Sequence, residues 1–194
     1  MGVDLKPHSN QSVPAVRIAQ FNSAGELVDA GSGFALITIP IEHQRTHEGR
    51  MFTGGKLWDS SAKIADGASA EILVTSPAGL SPHFMVEAEC GGAAEFYLFE
   101  NTVATGGTAV PIYNRNRRST TVSGCTLVHT PTVSDAGTQL DQSYIPGGAG
   151  HKSGGAAGGF SGEYILKLAT SYLVRIKNVS GSAQPVHINV WMYE

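Results

Sequence analysis

Charge is what this sequence has least of. Asp, Glu, Lys and Arg together make up 15% of its 194 residues, well under the roughly 25% of an average soluble domain. The formal net charge is -3, so the positive excess that drives nonspecific nucleic-acid binding is missing. Cysteine is almost absent. Cys90 and Cys125 stand alone, with no CxxC pair, which excludes a disulfide framework or a zinc ribbon and suits synthesis in a reducing cytoplasm. No stretch approaches the ~20 apolar residues of a membrane span. The opening MGVDLKPHSNQSVP has no signal-peptide core, and Lys6 stands where a myristoylation signal carries Ser or Thr. Neither a nucleic acid nor a membrane is expected as a partner.

What is present is a β pattern. Apolar residues reach 41%, enough for a core, and there are 24 glycines. Residues 1 to about 15 are polar, contain Pro7 and Pro14, and read as an extended arm. AVRIAQF (Ala15 to Phe21) alternates as a half-buried strand does. FALITIPI is β-branched and stops near Pro40. Further strands are expected at AEILVTS, HFMVEAEC, EFYLFE, TAVPIYN, TTVSGCTLVH, EYILKLA, YLVRIKN and PVHINVWMY, with Gly, Pro, Asn and Ser between them. Short strands at this spacing, without a helical period, indicate an all-β fold: an antiparallel two-sheet sandwich of jelly-roll type with an N-terminal arm. Residues 1–30 would hold the arm and first strand, and 31–194 the sandwich domain. In PVHINVWMY, Val186, Ile188, Val190 and Met192 share one face, and His187, Asn189, Trp191 and Tyr193 the other. The glycine-rich stretch from Ile145 to Gly162 reads as a long loop, of the kind usually functional or ordered by a partner.

Several patterns invite a chemical reading. In IEHQRTHEGRMF, His43 and His47 are four residues apart. On a helix they would share a face and could share a metal ion. Pro40 and Gly49 bracket them tightly, Gln44 stands where the metalloprotease motif has Glu, and no third ligand is near. On a strand the two would be ~13 Å apart. A turn and strand start with hydrogen-bonded histidines is expected instead. His83, His129 and His187 are isolated, which weakens a cupin-type metal site. Glu87, Glu89, Glu95 and Glu100 could form a glycosidase pair only if the fold brought two to ~5 Å; solvated strand positions are expected. No catalytic, metal or cofactor site is therefore expected. NRNRRS (Asn114 to Ser119) is the densest positive cluster. It reads as a turn in which Asn114 and Asn116 tolerate left-handed geometry and the arginines pair with carboxylates, of this chain or across a subunit boundary. Arg115, Arg117, Arg118, Trp191 and Tyr193 are interface candidates, with Val13, Val16 and Ile18 near the arm.

The order of THEGRMF, EILVTSPAG, PHFMVEAEC, YLFENTVATGGT, NRNRRS, YILKLATSYLVRIKN and the closing INVWMYE resembles a group of structural proteins of tailed bacteriophages encoded among the head genes. The resemblance runs from about Phe34 to Glu194. It implies a virion component on the capsid surface: a non-enzymatic decoration (cement) protein with a jelly-roll fold, partnered by the major capsid protein and by itself as a homotrimer. A tail, collar or head-fibre protein meeting the host surface is the alternative, and an exposed aromatic carbohydrate groove would mark it. A cupin-type metal- or sugar-binding enzyme is the third possibility.

Overall fold

The structure is a computed structural model that describes residues 19–21, 27–29, 40–147 and 162–194. The chain divides into two compact units, Met1–Pro40 and Ile41–Glu194; the sequence pattern suggested a division after residue 30. In the first unit, β1 (Ala19–Phe21) pairs antiparallel with β2 (Leu27–Asp29). The strand expected at AVRIAQF is thus seen in its last three residues. Val13, Val16 and Ile18, the arm before them, most of the FALITIPI segment and residues 148–161 of the glycine-rich stretch lie outside the described residues.

The second unit opens with α1 (Ile41–His47). Among the described residues thirteen strands follow: β3 (Met51–Trp58), β4 (Ser69–Thr75), β5 (His83–Cys90), β6 (Ala94–Glu100), β7 (Val103–Thr105), β8 (Thr108–Ala109), β9 (Tyr113–Asn114), β10 (Thr126–His129), β11 (Thr132–Asp135), β12 (Thr138–Ile145), β13 (Tyr164–Ile165), β14 (Ser171–Asn178) and β15 (Val186–Tyr193). They build a six-stranded sheet in the order β12-β6-β14-β4-β10-β8, a five-stranded sheet in the order β13-β5-β15-β3-β9, and a small β11-β7 pair. Every strand pairing is antiparallel. The two large sheets form a sandwich.

Its connectivity is regular. The runs β3 to β6 and β12 to β15 change sheet at every step. With these eight strands numbered one to eight, one sheet carries the order 1-8-3-6 and the other 2-7-4-5. The core follows from two-residue alternation. Ile72 and Val74 from β4, Phe84 and Val86 from β5, Phe96 and Leu98 from β6, Val174 and Ile176 from β14 all turn inward and are buried. On β15 the inward set is Val186, Ile188, Val190 and Met192, as the alternation required. Each such side chain contributes roughly 1.5–3 kcal/mol when fully buried.

The structure departs from the pattern reading at identifiable places. IEHQRTH is a helix, not a turn leading into a strand. MFTGGKLW, interrupted by two glycines, is the full-length strand β3. TAVPIYN is split around Pro111 into β8 and β9, because proline donates no ladder hydrogen bond. TTVSGCTLVH is strand only from Thr126, and EYILKLA only at Tyr164–Ile165. β11 and β12 were not anticipated, because no buried face imposes alternation on them: β12 has one buried residue in eight.

Candidate functional site

The interface candidates Arg115, Arg117 and Trp191 converge on the outward face of the five-stranded sheet. Strand register sets the layout. Trp191 stands between Thr53 and Met85, Asn189 between Gly55 and Glu87, and His187 between Leu57 and Glu89. Tyr113 of β9 pairs with Thr53 and carries the row outward. A cleft of about 470 Å³ opens here, lined by Thr53, Gly55, Leu57, Pro111, Tyr113, His187 and Asn189. Gly55 makes its floor. A Cβ there would lie 2.7 Å from the Ile188 carbonyl oxygen and 2.9 Å from the Asn189 side-chain amide, so a side chain would collide with the next strand. The Asn189 amide bridges its neighbours: its carbonyl accepts from the Trp191 indole N–H, and its NH2 donates to Thr53 Oγ1 at 3.1 Å. That fixes the indole in place on the sheet.

The arginine loop reaches the same face. Asn114 is buried, and its Nδ2 donates to the carbonyls of Gly49 at 2.7 Å and Thr121 at 3.0 Å. Its Oδ1 accepts from the Asn116 N–H at 2.9 Å, and Asn116 Oδ1 accepts from the Arg118 N–H at 3.1 Å. Asn116 Nδ2 also donates to the His47 carbonyl at 3.0 Å, which caps the end of α1. The loop is therefore a turn, as expected, but side-chain hydrogen bonds shape it. Among the described residues the non-glycine ones in left-handed geometry are Asn101, Thr130 and Ala169, not Asn114 or Asn116. Arg115 lies over Trp191, 5.5 Å from the ring centre, and Arg117 over Tyr113 at 5.6 Å. Arg118 is exposed. Among the described residues none of these three arginines forms an ion pair with a carboxylate. Within this chain Arg115 and Arg117 lie over aromatic rings instead.

Tyr193 is buried, with 5% of its surface exposed. Its hydroxyl donates to Glu163 Oε1, which also meets His83 Nδ1, and its ring stacks on His83 at 4.3 Å. Burial and the Glu163 carboxylate push the Tyr193 hydroxyl up to about 12. The Tyr193 and His83 hydrogen bonds hold the Glu163 carboxyl below its usual value.

The other histidines and acids are dispersed. His43 and His47 face each other on α1, with Nε2 atoms 3.0 Å apart. They are hydrogen-bonded as expected, but on a helix. Among the described residues no three His, Cys, Asp or Glu side chains gather as a metal site. His129 packs edge-on to Trp58, and His187 lies 3.8 Å from Glu89. Glu87 and Glu89 are on the five-stranded sheet, whereas Glu95 and Glu100 belong to the other sheet. Glu95 accepts from the Tyr97 hydroxyl at 2.8 Å. Glu100 is buried, and its carboxyl is held low by Lys167 and by the Tyr172 hydroxyl. Both cysteines are buried free thiols. Burial and Glu194 push the Cys125 thiol up to about 12, so at neutral pH it carries no thiolate to act as a nucleophile.

Pattern reading missed the floor and walls of the cleft, Thr53, Gly55, Leu57 and Tyr113. Their only signal was a glycine pair between apolar residues, which marks a close approach as readily as a turn. Comparison with known protein families, curated proteins and solved structures finds no match to this chain.

Proposed function

We propose that the protein is a non-enzymatic structural component of a tailed-phage virion, a decoration (cement) protein of jelly-roll type bound to the capsid surface. The strand orders 1-8-3-6 and 2-7-4-5 support the jelly-roll assignment. The motif order from Phe34 to Glu194 supports the virion assignment. The observation that carries attachment is β12. It is an eight-residue strand at the edge of the six-stranded sheet, exposed along nearly its whole length. Leu140 and Tyr144 are exposed on it, and Asp141 is its one charge. Among the described residues the other edges of the two large sheets, β8, β9 and β13, are two residues long. A long edge of low charge is a hazard in a free monomer and a ready site for an added strand, whose backbone hydrogen bonds need no charge. The partner strand comes from the major capsid protein or from another copy in a homotrimer. A protein selective for the assembled shell stabilises it by linkage.

The test adds the full chain to particles lacking it and measures bound copies and resistance to heat-induced DNA release. Gln142→Lys, on the exposed edge, should reduce bound copies without lowering the melting temperature of the free protein. Absence of binding by the unaltered chain would overturn the reading. The aromatic cleft favours a second reading, a tail, collar or head-fibre protein that meets the host surface. Immunolabelling of whole particles separates head from tail.

A further inference from the structure

The cleft on the five-stranded sheet combines three features that a packing surface does not need together. Its floor is kept open by Gly55, where a Cβ would approach the Asn189 side-chain amide to 2.9 Å. Its wall is Tyr113, 54% exposed as a residue, beside the polar groups of Thr53 and His187. Its rim holds two guanidinium groups, Arg115 and Arg117, placed over Trp191 and Tyr113 with no carboxylate partner among the described residues.

From this juxtaposition we infer that the cleft binds an acidic saccharide, with a sugar ring set against Tyr113 and its carboxylate held by the rim arginines. A sugar ring presents an apolar C–H face and an edge of hydroxyls. The exposed aromatic ring meets the first, and the Thr53 hydroxyl and His187 imidazole meet the second. The volume of about 470 Å³ falls within the ordinary range of small-ligand sites. Arg117 spends one N–H on the Asn114 carbonyl, from Nη1 at 3.3 Å, and the rest of each guanidinium fork matches a carboxylate. Charge complementarity therefore selects acidic over neutral sugars. Glu87 and Glu89, on the strand beyond β15, repel a second acidic group on that side, so the carboxylate must point toward the arginine loop. The inference does not rest on the shell-binding reading, because the cleft and the edge strand β12 lie on different sheets.

Isothermal titration of the full chain tests it with two matched pairs, sialyllactose against lactose and trigalacturonate against galactotriose. At least one acidic sugar should bind with a submillimolar Kd and at least tenfold more tightly than its neutral partner. Arg117→Gln should bring the acidic sugar to the level of the neutral one. Tyr113→Ala should weaken both members of the pair by tenfold or more. Both side chains are exposed, so unchanged melting curves should accompany the loss. Arg118→Gln removes a neighbouring charge outside the cleft and should leave affinity unaltered. Failure of both acidic sugars to bind, equal affinity for acidic and neutral partners, or an equal loss in Arg118→Gln would each overturn the inference. The outcome is independent of particle binding, since Gln142→Lys alters the edge strand and not the cleft.

Discussion

At the scale of single residues, the informative polar groups are buried ones whose partners lie far along the chain. Glu100 accepts from the Tyr172 hydroxyl at 3.0 Å and from Lys167 Nζ at 2.6 Å, while Tyr172 in turn accepts the Lys167 backbone N–H at 2.9 Å. The two arms of this network have unequal worth. The Lys167 side chain is 66% exposed, so water screens its ion pair and Lys167→Ala should cost at most about 1 kcal/mol. Tyr172→Phe strips a buried carboxylate and a backbone donor of their shared partner, and should cost about 1–3 kcal/mol. Denaturant melts of the two variants measure the difference; equal losses would show that the ion pair matters as much as the hydroxyl. The same group shapes the acid limb of stability. Lys167 and Tyr172 hold the Glu100 carboxyl below its ordinary 4.5, and Tyr193 and His83 do the same for Glu163. A depressed carboxyl stabilises the fold fully above its unfolded value and loses that contribution as pH falls through the folded one. Stability should therefore hold from neutral pH to about 5 and fall below it, with a shallower fall in Glu100→Gln. The residues of this network could not be read from the sequence. Alternation shows which face Tyr172 takes, but nothing local shows that Glu100 waits there.

At the scale of elements, α1 and β3 show how glycine and proline mislead a pattern reading. Pro40 and Gly49 look like brackets too tight for a helix. They are its start and stop signals. The Arg50 N–H donates to the Arg45 carbonyl at 2.9 Å and the Gly49 N–H to the Thr46 carbonyl at 3.1 Å, the paired bonds of a Schellman end, with Gly49 left-handed at φ 70°. A Cβ on Gly49 would also sit 2.7 Å from Ser119 Cβ. Gly49→Ala should cost about 1–2 kcal/mol from left-handed geometry alone and more from the collision. Ser119→Gly in the same chain should recover the second share and not the first, which thermal melts of the single and double variants resolve. β3 is the opposite case. GG reads as a turn, yet Gly54 and Gly55 lie inside a strand where a Cβ on either would strike a neighbour: on Gly54 it would meet Leu127 Cδ1 at 2.7 Å. Gly55→Ala meets rigid backbone and should destabilise by about 1–3 kcal/mol, as a lowered Tm. An unchanged Tm would show that β15 can shift to make room. Strands whose one face is buried, such as β5, β6 and β15, were legible from alternation. β12 was not, because an edge exposed on both sides has no reason to alternate.

At the scale of the whole molecule, the sandwich is a closed set of long-range pairings. The class of fold was legible, since many short strands with turn residues between them leave few alternatives. The sheet order was not, since every crossing from β3 to β6 joins strands whose pairing partners lie elsewhere in the chain. The buried cluster spans Phe52 to Met192, and the unit that contains it begins at Ile41. A chain starting at Ile41 should thus fold alone, with the circular dichroism of a β protein and a single cooperative melt within a few degrees of the full chain. Failure to fold would mean that residues 1–40 are part of the same cooperative system. If the shortened chain folds, it becomes the means of testing where the proposed grip on particles lies. Residues 1–15 are polar with two prolines, and an extended stretch of that length can reach ~50 Å, far enough to lie on a neighbour. On the proposed capsid reading, the expected arm and the edge strand β12 are rival or cooperating handles. With the arm as the main handle, the chain from Ile41 should lose most of its bound copies and its protection against heat-induced DNA release, while Gln142→Lys in the full chain should lose little. With β12 as the handle, the order reverses. Strand exchange, in which the arm of one copy adds to β12 of the next, requires both changes to be damaging and the double change to be no worse than either alone.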